Sequence, residues 1–171
     1  MSHNPVDYPD NCESLFVTAR YINDFMPTHM YNLLISGVRR IIQLKRYPIK
    51  VTILGYSFLE NSDDIRESPS AEFVNILDSK HINYNIHDPY IKSFNTDFNK
   101  TITNSDALVI FTAHDEYKKL LNPVDIKQNM NREYPVIVDG RNIINPDSFI
   151  NKGFIYKGIG RRDKNNHEIV K

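Results

Sequence analysis

The sequence predicts an open parallel α/β sheet with helices on both faces, preceded by one long N-terminal helix, and three observations carry that prediction. Residues 107–112 form a nearly all-apolar run of strand length, the pattern of a strand buried on both faces of a parallel sheet. After Pro48 the hydrophobic period changes from helical to extended, and extended and helical stretches then alternate to about residue 158. Before Pro48, Leu15, Ala19, Ile22, Met26, Met30 and Leu33 recur at steps of three and four, which is one stripe of an α-helix.

Residues 1–13, rich in Asn, Asp, Pro and Ser, read as a disordered lead-in. A long helix follows over 14–47. Because its stripe keeps register across Pro27, the proline predicts a kink, with a break there as the alternative. Gly37 falls on the stripe, where it would permit close approach of another backbone. Residues 48–161 form the α/β domain. Its first strand covers 49–55 and leads into a polar, acidic loop over 56–67. Ser68 and Pro69 then have the types of an N-cap and first helical residue, opening a helix to about residue 80. A second strand over 82–87 ends at Asp88-Pro89, and a short helix covers 95–104. After the apolar strand come a helix opening near Asp115, a strand over 135–138, a helical turn over 146–152 and a last strand over 154–158. Residues 162–171 are charged and aperiodic and read as a disordered tail. Right-handed crossovers between such units give a Rossmann-like sheet, whose ligands lie beyond the carboxyl ends of the strands.

At 171 residues there is room for one sizeable core. Lys plus Arg is 21 and Asp plus Glu is 21, so the net charge is zero and offers no footprint for nucleic acid or an anionic membrane. No apolar run approaches the roughly 20 residues of a membrane span. The single cysteine, Cys12, excludes an internal disulfide, and with no signal pattern at the start the expected location is the cytoplasm. Six scattered histidines, none paired at ligand spacing, predict no metal, and His114-Asp115-Glu116 reads as a helix start. Cys12 has no Gly-rich frame and no neighbouring Lys or His to activate it. Neither a Ser-His-Asp context nor a phosphate-binding P-loop is present.

At the predicted strand ends, Gly55 is one glycine where a dinucleotide fingerprint needs three. Asp88 reads as a turn starter, with a ribose-binding acid as the alternative. Asp64 and Arg66 lie in a charged run before a helix start and read as a structural ion pair or an anion site. Arg141 follows an apolar strand and a glycine, and its planar fork suits phosphate oxygens.

Together, 51–58 (VTILGYSF), 63–70 (DDIRESPS), 87–90 (HDPY), 105–112 (SDALVIFT) with 114–117 (HDEY), and 138–142 (VDGRN) resemble the UDP-binding C-terminal domain of the UDP-glucose/GDP-mannose dehydrogenase family. The central helix of that family is matched by Ala19-Arg20, 22–24 (IND) and Met26-Pro27, so the resemblance covers about 15–161; its details are most like the UDP-N-acetyl-D-mannosamine dehydrogenase branch. The resemblance implies an enzyme that oxidises a nucleotide sugar twice at C6, alcohol to carboxylate, with two NAD⁺ and a covalent cysteine intermediate. These 171 residues match neither the NAD fold nor the Gly-Gly-Ser-Cys segment. They are therefore expected to carry no catalytic residue, to bind no NAD themselves and to be inactive alone. The resemblance implies a UDP or UDP-sugar site at Phe58 and Arg141, with Leu59 standing where the family has lysine. The long apolar stripe over 15–45 would face water if left uncovered and so predicts a homodimer through the N-terminal helix, on which Asn23, a further motif residue, reads as structural. The alternative reading is a non-catalytic nucleotide-sugar-binding or dimerisation module.

Overall fold

The structure, a computed structural model, describes residues 10–44, 48–161 and 165. Helix α1 (Asp10–Leu44) begins four residues before the helix predicted from 14 and runs unbroken through Pro27. Its start overlaps the expected lead-in, of which residues 1–9 lie outside the described residues, as do 45–47. Then follow β1 (Lys50–Leu54), α2 (Pro69–Ser79), β2 (Asn83–His87), α3 (Phe98–Ile102) and β3 (Ala107–Ile110). The chain continues through α4 (Asp115–Leu120), α5 (Pro123–Met130), β4 (Val136–Asp139), α6 (Pro146–Ile150) and β5 (Ile155–Gly158). All strand pairings are parallel, in the order β2-β1-β3-β4-β5. The Rossmann-like sheet with a long N-terminal helix read from the sequence is thus the observed fold.

Helix starts follow side-chain chemistry. Ser68, Asn122 and Asn145 each accept a backbone N–H of the first turn and each precedes a proline at the first helical position. The pair Asn122-Pro123 also divides what reads as one helix from Asp115 into α4 and α5, because proline cannot supply the N–H that would continue α4.

Period-two alternation sorts the strand side chains between two cores. Val51, Ile53, Ala107, Val109, Val136 and Val138 face α1 and α2, packing with Met30, Leu34, Val38, Ile41, Phe73 and Leu77. Leu54, Leu108, Ile110 and Ile137 face the other way, against Ile102, Tyr117, Ile126 and Phe149 of the remaining helices. The second half of α1 is therefore one layer of the α/β unit, in contact with α2, β3, β4 and β5. The buried stripe differs from the predicted one: it runs through Pro27, Met30, Leu34, Gly37, Val38 and Ile41, and Leu33 is half-buried. Gly37 is close-packed within the chain, since a Cβ there would lie 2.6 Å from Val136 Cγ1. The backbone approach expected at Gly37 is hence to strand β4 and not to a partner.

Asn165, placed by sequence in the disordered tail, is buried and closes the β5 edge. Its amide accepts from the Tyr156 N–H and donates to the Tyr156 carbonyl, both at 2.8 Å, as a neighbouring strand would. The other residues of that tail, 162–164 and 166–171, lie outside the described residues. No helix among the described residues is long and apolar enough to cross a membrane.

Candidate functional site

From β1 the chain goes to β2 on one side, then crosses to β3 on the other, so the sheet's switch point is the crevice between the carboxyl ends of β1 and β3. Gly55 opens the turn out of β1 with φ of +83°, and a Cβ on it would collide with Thr112 after β3. Its N–H is shared between the His87 carbonyl at 2.9 Å and the Tyr117 hydroxyl at 3.0 Å. That hydroxyl in turn donates to the His87 carbonyl at 2.7 Å, and burial pushes the Tyr117 phenol far above its ordinary range. Gly55 thus serves close packing beneath the crevice. A dinucleotide pyrophosphate cradle needs open glycine backbone at that turn, and the residues here do not form one.

The β1–α2 turn is held from below by Asp88, whose side chain is fully buried. Its Oδ2 accepts from the N–H groups of Tyr56 at 2.7 Å and Ser57 at 3.0 Å and from His114 Nε2 at 3.1 Å. Its Oδ1 accepts from the Tyr90 N–H at 2.9 Å. Burial alone would push this carboxyl up, but the His114 hydrogen bond and the three amides outweigh it and hold the group at about 2. Asp88 does start a turn, as the sequence suggests, and it also fixes a loop 32 residues away; its complete burial keeps it from a ribose. His114, expected to mark only a helix start, is the second half of this keystone. Its Nδ1 accepts from the Asn61 N–H at 2.9 Å, so its proton sits on Nε2, facing Asp88. The Asn61 side chain then donates to the Asp115 carboxylate at 2.9 Å and accepts from the Asp115 N–H at 3.1 Å.

On this frame Phe58, Leu59 and Glu60 stand half-exposed at the crevice mouth. Arg141, after β4, reaches the same place: its Nη2 lies 3.0 Å from Glu60 Oε1. The Arg141 backbone is fixed by buried Asp139, which accepts from the N–H groups of Arg141 at 3.0 Å and Ile143 at 3.3 Å. The structure therefore brings Arg141 to Glu60, the residue that follows Phe58 and Leu59 in the turn. Asp64 and Arg66 form their own bidentate pair at 2.9 and 2.6 Å, which pulls the Asp64 carboxyl down to about 2. Phe58 also lines a cleft of about 570 Å³ with Phe16, Arg20, Asn23, Asp24 and Glu67, between the first half of α1 and the loop. Asn23, read as structural, is exposed and lines that cleft.

The profile described as the UDP-glucose/GDP-mannose dehydrogenase family, UDP binding domain, matches residues 52–146. A UDP-N-acetyl-D-mannosamine dehydrogenase of Pyrococcus horikoshii is 34% identical over 145 residues, 85% of this chain and 33% of the relative. A UDP-glucose 6-dehydrogenase of Pseudomonas aeruginosa is 29% identical over 127 residues, 65% of this chain and 27% of the relative. Among solved structures, an NDP-N-acetyl-D-galactosaminuronic acid dehydrogenase from Methanosarcina mazei superposes with a TM-score of 0.84 at 38% identity, over 96% of this chain and 35% of that one. The chain spans about a third of the length of these relatives.

Proposed function

We propose that this chain, which belongs to the UDP-glucose/GDP-mannose dehydrogenase family, supplies the nucleotide-sugar-binding part of an NAD-dependent UDP-sugar dehydrogenase. The reading is carried by one juxtaposition: the Phe58-Leu59-Glu60 turn and Arg141, 81 residues apart between Glu60 and Arg141, meet at the switch point. The ring of Phe58 offers a face for a base or sugar, and the guanidinium of Arg141 offers a fork for diphosphate oxygens. The exposed side chain of Leu59 adds apolar surface where a cation would strengthen phosphate binding. NAD and the cysteine nucleophile would come from polypeptide beyond these 171 residues, in keeping with the third of the relatives' length that is matched. Calorimetric titration with UDP, UMP and uridine tests this, and affinity should rise with the number of phosphates. Lack of any UDP binding at about 1 mM, where recognition is worth about 4 kcal/mol, would rule the reading out. The rival reading, a non-catalytic module, is favoured by Leu59 and by the engagement of Arg141 with Glu60.

The second part of the proposal is a homodimer through the first half of α1. Leu15, Phe16, Val17 and Tyr21 are each at least 69% exposed, and Tyr21 stacks on Phe25 at 6.5 Å. An apolar face of this kind is one that soluble proteins cover, and two-fold self-pairing is the commonest way. Light scattering at tens of micromolar should return twice the single-chain mass, and Phe16→Glu with Tyr21→Glu should return one chain. A single-chain mass for the unmodified protein contradicts the dimer. Gly37→Leu is no test of it, because the added side chain meets Val136 inside the chain; that variant should instead lose about 1 to 3 kcal/mol of stability through overpacking.

A further inference from the structure

We propose that the Glu60 carboxylate is an internal placeholder for the ligand's anion, held on Arg141 at the crevice mouth and displaced when a diphosphate arrives. This rests on the nucleotide-binding reading above and names how that site is tuned.

Three observations lead to it. Glu60 follows Leu59 in the turn, and its Oε1 accepts from the Arg141 guanidinium, at 3.0 Å from Nη2. The turn is not free to carry the acid elsewhere, because the next residue, Asn61, is tied by its N–H to His114 and by its side chain to Asp115. Lys118, paired to Asp115 at 2.6 Å, also feels the negative charge of Glu60. A carboxylate therefore sits on the Arg141 guanidinium, the fork that the nucleotide reading assigns to phosphate oxygens.

The consequence is competition. The N–H that Arg141 donates to Glu60 is not available to a phosphate, so a ligand gains the full guanidinium fork only by displacing Glu60. Both side chains are nearly half exposed, 47% for Arg141 and 42% for Glu60, so the pair is weak enough to be opened. Once displaced, Glu60 remains beside the diphosphate and repels it. Competition and repulsion act in the same direction, and together they should lower affinity by about three- to tenfold.

The experiment is calorimetric titration with UDP of the full chain, of Glu60→Gln and of Asp63→Asn. Asp63 is an exposed carboxylate of the same loop, three residues beyond the turn that meets Arg141, and it serves as the charge-matched control. Glu60→Gln should bind about three- to tenfold more tightly, with Asp63→Asn within about twofold of the parent. If the parent binds and Glu60→Gln binds no better, or if Asp63→Asn gains as much, the placeholder is overturned and the nucleotide site stands. If none of the three binds UDP, the nucleotide reading itself falls and the placeholder with it. Because Glu60 is surface-exposed, matched thermal melts should confirm that the variants are folded.

Discussion

Asp88→Ala is expected to be the most destabilising single substitution in the loop region, at about 3 to 5 kcal/mol, because it leaves several neighbouring donors unsatisfied at about 1 to 3 kcal/mol for each that stays buried. The truncation removes the acceptor of three N–H groups, those of Tyr56, Ser57 and Tyr90, and leaves His114 Nε2 only its longer contact with the Ser57 hydroxyl at 3.3 Å. Solvent has no ready path to replace the lost oxygens, since Asp88 and His114 are both fully buried. Urea unfolding gives the stability change. Hydrogen exchange at the Tyr56 and Ser57 amides should speed up even under conditions where the β3 and β4 amides stay protected. A loss below about 1 kcal/mol would mean that the turn is held by other contacts.

The same carboxylate gives a pH signature. Its value falls on folding from 3.8 to about 2, so the unfolded chain binds the proton more tightly than the folded one. The stability it contributes is therefore complete above about pH 4 and is lost as pH drops through about 2. In Asp88→Asn that acid-side component should be missing, which separates it from the acid sensitivity of the remaining carboxylates.

How much of this was legible in the sequence depends on the range of the interaction involved. Strand β3 announced itself because four successive apolar residues admit few environments other than the middle of a sheet. The starts at Ser68 and Pro146 were legible because caps act within three residues. In contrast, the assignment of α1 to the sheet was not legible. Its two halves share one period, and only the presence of β3, β4 and β5 beneath Met30, Leu34 and Val38 decides which residues become core. Asp88 could be read as a turn former from its own neighbours, whereas its bonds to Tyr56 and His114 span 32 and 26 residues and leave no local pattern. The Glu60 contact with Arg141 was hidden for the same reason. Asn165 lay in a stretch without period, and its pairing with Tyr156 is a single-residue event that periodicity cannot detect.

Arg141→Ala should weaken UDP binding by about ten- to a hundredfold, and Leu59→Lys should strengthen it. A hydrogen bond to a charged group is worth about 1.5 to 3 kcal/mol, and each 1.4 kcal/mol is a factor of about ten. The Arg141 backbone is already fixed by Asp139, which limits the ordering that the ligand must impose. Leu59 is 56% exposed, so a lysine there needs no core rearrangement. The new ammonium would act twice, attracting the diphosphate and offering Glu60 a second partner that loosens its hold on Arg141. Combining Leu59→Lys with Arg141→Ala in one protein separates these effects. If the lysine works only by releasing Arg141, its gain disappears when Arg141 is absent; if it contacts phosphate directly, most of the gain survives. Equal UDP affinities for the parent, Arg141→Ala and Leu59→Lys would remove the anion role from this corner of the sheet, and would leave the apolar face of α1 as the better guide to what the chain does.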